Sequence, residues 1–425
     1  MATALMVMVT VTAPTAMEPT KAFSTSYEAP TTLGEMLEPF SLSDLFKKFG
    51  EDYLYVPGPK GKFSALFPWD VLNTILRQHR LGHPRMRVFR DGKLVPIDRY
   101  TKVNVGRKLR STSPKLIAGD LIGQLKGGAT LVVDAVDELY EPLTTLAASL
   151  ERDLREHIQV NLYAGWHHSP GFNVHWDDHD VIVLQLAGRK SWKIYGPTRS
   201  HPLANDEAWD RTPPETPVWE ETISDGDLLY MPRGFWHVAV PLDEPSLHLT
   251  FGIPNRTGVD LMTWLSQRVR HEEIFRKDLP KFKCAEERAA HIDKLFDTLR
   301  SQLNDELIDD YFIDCDRNAM PRVKIDLPFV ASSSLFNDLL DSCFVLTTPR
   351  KLRLIEDGDL MIVGANKKNF RFAKAARPIL ERLDHIMPAN LDDLVDVSGG
   401  MSRDTVSAFI RELLTHGLIA AVHDR

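Results

Sequence analysis

The spacing of apolar and polar positions changes character three times along this chain. Residues 33–120 mix short helical and extended stretches. Phe67-Pro68-Trp69-Asp70 leads into apolar residues at helical spacing, which predicts a helix over 71–80 with Asp70 as its N-cap. Asp91-Gly92 predicts a hairpin turn within 87–97. The middle of the chain shortens its period to two and is rich in Val, Ile and Leu. There, 171–186 reads as one strand, 190–195 as another, and 238–242 and 246–251 as two more. Asp225-Gly226, between apolar runs, reads as a further hairpin turn. After Pro254 the period lengthens again. Residues 261–277 and 285–311 read as amphipathic helices, the second with Leu295, Phe296, Leu299 and Leu303 along one stripe. In the last segment Asp357-Gly358-Asp359 marks a turn within 353–363, and helices are predicted over 374–385, 391–398 and 402–416. Ser402 is the N-cap of the last, Gly417 ends it, and 418–422 returns as a strand.

Candidate chemistry concentrates in the strand-rich middle, at Asn173-Val174-His175-Trp176-Asp177 and at Gly234-Phe235-Trp236-His237. Alternate residues of a strand share a face and each step rises ~3.3 Å, so His175 and Asp177 lie ~6.6 Å apart along the backbone. Side chains of that reach converge on one ion. His179 shares the face but lies ~13 Å from His175, too far without a bend, and Asp178 and Asp180 point the other way. The Pro232-Arg233-Gly234 turn then presents His237 at the mouth of the next strand. Alone, a histidine and an aspartate two apart are commonplace, and a strand-end histidine is commonly just hydrogen-bonded. Together the three form the 2-His-1-carboxylate face that holds non-haem iron(II) and leaves positions open for a co-substrate and dioxygen.

A cation follows. Lys190, Trp192 and Ile194 share one face of their strand, and Ser191, Lys193 and Tyr195 the other. If the aromatic and the isoleucine face the core, Lys190 points inward and needs an anionic partner, because an unpaired buried charge is costly. The far carboxylate of 2-oxoglutarate is such a partner. Alternation leaves the opposite phase open, with Lys190 in solvent and Lys193 or Arg189 inward. His248 and Thr250 also share a face, either lining the same pocket or bonding to each other.

The run Gln185-Leu186-Ala187-Gly188-Arg189-Lys190-Ser191-Trp192-Lys193-Ile194-Tyr195, placed after His175-Trp176-Asp177, resembles the JmjC-type ribosomal oxygenases of the cupin superfamily. The resemblance is strong over about 161–253 and fainter, as an order of segments, over most of the rest. It implies an α+β fold, with a double-stranded β-helix (the cupin/JmjC jelly roll) over 31–258. A helical dimerisation region (259–335) and a C-terminal winged-helix domain (336–425) would follow, while the apolar, Thr/Ala-rich start reads by composition as a disordered leader over 1–30. It implies iron(II) and 2-oxoglutarate as cofactors, with His175, Asp177 and His237 as the metal-binding catalytic residues. Lys190 would hold the distal carboxylate, and Asn161 and Tyr163 would line the co-substrate pocket, joined by Thr250 from the shared face above. The implied reaction hydroxylates an Arg or His side chain of a ribosomal or other protein or peptide, with succinate and carbon dioxide as co-products, in a homodimer. Two readings compete. One is a non-oxidative cupin, a metal-binding regulator or zinc hydrolase on the same ligands, with no need of Lys190. The other is a JmjC lysine demethylase, although nothing in the sequence suggests a methyl-lysine reader. The apolar leader, His167-His168, Trp176 and Trp236 depart from the family pattern and would reshape the pocket for another peptide.

Composition adds bounds. A chain of 425 residues with net charge -8 is an ordinary globular protein of several domains. Between Arg80 and Lys115 basic residues crowd together, among them Arg85, Arg87, Arg90, Arg107, Lys108 and Arg110. They are either a solvated face or a patch for an acidic partner, rRNA or an acidic peptide. Acidic and basic residues balance in the last segment, which favours a scaffold or docking role over direct DNA binding. The three cysteines are far apart with no disulfide or zinc spacing, which points to a reducing, cytoplasmic setting. Residues 1–20 carry no Lys or Arg and so lack the charged region of a secretory signal. No apolar run reaches the ~20 residues needed to span a bilayer, so no membrane association is expected.

Overall fold

A computed structural model describes residues 27–102, 114–167, 170–204, 206, 212–332, 336–385 and 387–422. Most of the 1–30 leader, His168, and Arg107, Lys108 and Arg110 of the basic run lie outside the described residues.

The molecule is α+β. Its larger sheet has eight antiparallel strands in the order Leu54–Val56, Leu228–Met231, Asp180–Ala187, Ser246–Ile253, Gln159–Gly165, Thr130–Val133, Met86–Arg90 and Lys93–Leu94. A three-stranded sheet, Trp219–Ile223, Lys190–Pro197 and Phe235–Pro241, faces it. The Asp180–Ala187 strand is apolar on both faces because both are covered. Ile182, Leu184 and Leu186 join the main core, with residues of the helices Leu33–Leu37, Trp69–Gln78 and Glu141–Leu154. Val181 and Val183 point the other way and pack with Trp192, Ile194 and Ile223 of the smaller sheet.

Several sequence expectations need correction. The stretch 171–186 is not one strand. The ladder begins at Asp180, and residues 171–179 form a loop joined to the sheet by the isolated bridge between His175 and His237. The strand starts at Asp180 because its buried carboxylate accepts from Tyr230 Oη at 2.6 Å and Arg233 N at 3.0 Å. Asp225-Gly226 is not a hairpin either. It carries the chain from the smaller sheet to the larger, where Gly226 (φ +100°) passes so close to Pro59 that a Cβ would lie 2.1 Å from its carbonyl oxygen. Asp91-Gly92 is a hairpin, with φ of 50° and 70° at its two residues. The helix expected over 71–80 is Trp69–Gln78. Pro68 is its N-cap, and Asp70 sits in the first turn, where its charge meets the positive end of the helix dipole.

Past Pro254 each expected long helix is broken in two: Gly258–Val269 and Glu273–Arg276, then Ala285–Ser301 and Leu307–Asn318. No residue of Ala285–Ser301 is buried, and Phe296 and Leu303 of the expected stripe are 58% and 52% exposed. The C-terminal part has its own core. Strands Leu354–Asp357, Leu360–Ala365 and Lys368–Ala373 form a meander, followed by helices Arg377–Leu383, Leu391–Val397 and Arg403–Thr415. Strand Ile419–Val422 then pairs with Cys343–Leu346. Ser402 caps the last helix by accepting from Thr405 N at 3.2 Å, and Gly417 (φ +70°) ends it. Among the described residues no helix is long and apolar enough to cross a membrane.

A buried ionic cluster ties these parts together. Glu151, 1% exposed, accepts from Arg322 Nη2 at 2.7 Å, Arg350 Nη1 at 3.1 Å and Ile158 N at 3.1 Å. Asp137 takes Arg322 Nη1 at 2.7 Å and Val160 N at 2.9 Å, beside the strand that enters the site. Burial pushes the Glu151 carboxyl up, but His157, Arg322, Arg350 and the Ile158 amide outweigh it and hold it below its usual range. Glu151→Ala leaves buried guanidinium groups without their shared anion, and is expected to cost about 3–5 kcal/mol. Denaturant unfolding measures this; a loss below ~1 kcal/mol would mean the cluster contributes little beyond what an exposed pair does.

Candidate metal centre

The loop 171–179 and the strand Phe235–Pro241 are stitched together by their backbones. His175 N donates to His237 O at 3.1 Å, His237 N donates to His175 O at 2.7 Å, and Gly234 N donates to Asp177 O at 2.9 Å. Gly234 has φ +82°, and a Cβ there would lie 2.6 Å from Pro202 Cδ, so the turn that sets up His237 needs glycine. The stitching brings the three predicted ligands together. Asp177 carboxylate oxygens lie 4.0 Å from His175 Nε2 and 3.7 Å from His237 Nε2. One donor atom from each residue lies within 4.8 Å of the others.

The tautomers follow from the next set of contacts. His175 Nδ1 lies 2.8 Å from Asn173 O, and His237 Nδ1 lies 3.0 Å from Phe235 O. A carbonyl only accepts, so both Nδ1 atoms carry the proton and both Nε2 atoms keep a lone pair for a metal. Burial and the neighbouring His175 push His237 down to about 4, against the pull of Asp177. For Asp177, burial acts upward, but the imidazoles of His237, His175 and His179 outweigh it and lower its carboxyl. At neutral pH His237 therefore offers neutral nitrogen and Asp177 anionic oxygen, and with His175 Nε2 beside them they make a donor set suited to a divalent first-row metal. His179 stands apart, its Nδ1 turned to Asp178 Oδ1 at 2.9 Å.

These ligands open onto a cavity of about 280 Å³ that Lys190, Asn161, Tyr163, His248 and Thr250 also line. Lys190 is 3% exposed and shares its buried face with Trp192 and Ile194. The opposite phase is excluded: Lys193 pairs with Glu220 at 2.8 Å, and Arg189 with Glu244 at 3.0 Å, both toward solvent. Burial pushes Lys190 down to about 7. Its Nζ donates to His248 Nδ1 at 2.8 Å, and among the described residues no carboxylate lies within ion-pair distance of it. His248 is thus bonded to Lys190, not to Thr250. The antiparallel register sets His248 opposite Tyr163 and Thr250 opposite Asn161. Asn161 Oδ1 is held by Ala135 N at 3.0 Å and Gln159 Nε2 at 2.9 Å.

Sequence reasoning missed part of the wall. Arg87 lines the cavity and pairs with Asp134 at 2.7 Å. In the sequence it was one member of a basic run; the signal that singles it out is the alternation of buried Met86 and Val88 with Arg87 and Phe89. Phe172 joins the wall, its ring 4.3 Å from that of Phe89 and 5.6 Å from that of His175. Trp176 and Trp236 are not part of it, contrary to expectation. Trp236 turns to Thr198 Oγ1, 2.9 Å away, because it alternates with His237 along the strand.

Residues 138–261, which carry the whole triad and Lys190, match the JmjC domain family. Over that stretch the chain is similar to JmjC domains. A Dictyostelium discoideum relative named bifunctional lysine-specific demethylase and histidyl-hydroxylase NO66 is 28% identical over 292 residues, 66% of this chain and 55% of the relative. Bos taurus ribosomal oxygenase 1 is 28% identical over 229 residues, 52% of this chain and 33% of that protein. The chain spans about half the length, or less, of these curated relatives. The crystal structure of Escherichia coli ribosomal oxygenase YcfD matches 90% of this chain and 98% of its own, with a TM-score of 0.55 at 17% identity. A YcfD structure in complex with cobalt and 2-oxoglutarate matches over the same shares, with a TM-score of 0.55 at 18% identity. These structures share its α+β fold.

Proposed function

We propose that this protein is a JmjC-type iron(II)- and 2-oxoglutarate-dependent oxygenase that hydroxylates a side chain, Arg or His, of a ribosomal or other protein or peptide. One observation carries the reading: a buried ammonium, Lys190, faces the cavity of the His175-Asp177-His237 cluster with no carboxylate of its own among the described residues. A zinc hydrolase or a metal-binding regulator has no use for that cation, and an unpaired buried charge is costly. A small dicarboxylate that also reaches the metal satisfies both ends of the cavity. With iron(II) and 2-oxoglutarate bound, the site would place one atom of dioxygen on a substrate carbon, the other leaving in succinate alongside carbon dioxide.

The chain's own residues bind and orient. His175, Asp177 and His237 hold the metal from one side, their tautomers fixed by the carbonyls of Asn173 and Phe235. Lys190 anchors the distal carboxylate, and Asn161, Tyr163 and Thr250 complete that end. Val183, Trp192, Met231 and Ala239 supply apolar wall that keeps water from the reacting centre.

The finer architecture belongs to the same reading. Four of the five connections between Asp180 and Ile253 cross from one facing sheet to the other, and only Lys190–Pro197 passes to its own neighbour Trp219–Ile223, an alternation that supports a double-stranded β-helix within 31–258. The uncovered face of Ala285–Ser301 fits a helical dimerisation region over 259–335 and a homodimer. The meander and three helices within 336–425 fit a winged helix used for docking a protein substrate rather than for DNA. Cys284, Cys315 and Cys343 form no disulfide with one another, which fits a cytoplasmic setting.

The test is incubation with iron(II), ascorbate, 2-oxoglutarate and ribosomal proteins, followed by peptide mass spectrometry. Gain of one oxygen on Arg or His, with matching succinate, is the expected result. Loss of a methyl group from lysine would favour the demethylase activity that the Dictyostelium relative's name also carries. No succinate with any substrate, and none in its absence, would overturn the oxygenase reading.

A further inference from the structure

We infer that His248 is a positioning residue for the co-substrate: its Nδ1 accepts from Lys190 Nζ and aims the ammonium at the distal carboxylate. The inference rests on the oxygenase reading above and adds a residue through which Lys190 acts.

A lysine carries a compact charge on a flexible four-carbon stem, so a buried lysine that binds one ligand atom needs something to fix it. His248 is built to do so. It is 4% exposed, its ring stacked on Tyr163 at 4.7 Å and 9°, and set edge-on to Trp192 at 6.0 Å and 66°. The ladder to Asp180–Ala187 shifts register between Leu247 and His248: Leu247 pairs with Ala187, but His248 pairs with Gln185. Such a bulge re-aims the side chains beyond it. Gln185 pins it, its Nε2 donating to Ala187 O at 2.8 Å and Ser246 Oγ at 2.9 Å.

The identity of the acceptor matters as much as its position. A carboxylate at 248 would neutralise Lys190 internally and leave nothing for a dicarboxylate to pair with. An apolar residue would strand the ammonium without an acceptor. An imidazole does neither. Burial and the adjacent Lys190 charge push His248 well below its ordinary value, so it stays neutral. It engages one of the three ammonium protons and leaves the others for the ligand.

The experiment is anaerobic calorimetric titration of 2-oxoglutarate into the full chain loaded with manganese(II), with manganese affinity measured for every variant. His248→Leu is expected to weaken 2-oxoglutarate by about 10- to 100-fold, the scale of one hydrogen bond to a charged group. His248→Asn, whose Oδ1 reaches the place of Nδ1, is expected to stay within about threefold of the parent, and His248→Asp to bind as poorly as Lys190→Ala. Manganese affinity should be unchanged throughout. Should His248→Leu fail to fold, the contrast between His248→Asn and His248→Asp decides. Equal affinity in the parent and in the Leu, Asn and Asp variants, with Lys190→Ala still defective, would overturn the inference and spare the oxygenase reading. Equal losses in Leu and Asn would also overturn it, by showing that the ring only packs. A parent protein that binds no 2-oxoglutarate would bring down both.

Discussion

Asp177→Ala should lose iron and turnover together. Asp177 is the sole anionic member of the cluster; without it two neutral imidazoles face a divalent cation with no compensating charge. Loss of an outer partner of a metal ligand typically costs about 10–100-fold in affinity or activity, and removal of the ligand itself should exceed that. Metal content after dialysis and succinate release would be measured in parallel. Asp177→Asn keeps the shape and removes the charge, so it should share the defect in weaker form. Full iron occupancy in the alanine variant would mean that the metal sits elsewhere. Chelation of the parent protein should abolish turnover, and added iron(II) should restore it.

Lys190→Ala should separate the two cofactors: iron stays, 2-oxoglutarate goes. Removing one partner of a desolvated charge pair typically costs about 3–5 kcal/mol, or roughly 150-fold in affinity or more. The parent protein also has a pH signature here. Burial holds Lys190 near about 7, below its ordinary 10.5. Below that value the side chain is charged before the ligand arrives. Above it, binding a carboxylate must take up a proton, so affinity should fall by up to about tenfold per pH unit until the bound-state value is passed. Stability without ligand runs the opposite way. The unfolded chain binds the extra proton between about 7 and 10.5, so the folded state gains stability as pH rises through that window. Calorimetry in two buffers of different ionisation heat measures the proton directly. Affinity that is flat on both sides of neutrality would remove Lys190 from its role.

How much was legible before the fold was known depends on how local each feature is. The inward phase of Lys190 follows from strand alternation with Trp192 and Ile194, and the structure keeps that phase. The three ligands were legible as residue types, but the reason given for their convergence was not right. His175 and Asp177 meet in a loop, held by backbone bonds to a strand some sixty residues on, and no local period records such a bond. The Asp225-Gly226 turn has the composition of a hairpin, and only the pairing of its flanking strands with different partners shows that it crosses between sheets. Arg87 was obscured for a related reason: it lay inside a charge run, and what distinguishes it is a partner far away in sequence. His248 was legible as a residue sharing a face with Thr250, but its bond to Lys190 on another strand was not.

The isolated bridge between His175 and His237 carries a consequence for how the centre assembles. Two of the three ligands ride on one short loop, and the third belongs to a sheet held by its own ladder. Parting two main-chain hydrogen bonds, with the Gly234 bond beside them, would lift His175 and Asp177 away as a pair and leave His237 in place. Metal release would then proceed through a single-histidine state, and a bound ion would act as a clasp that closes the loop against the sheet.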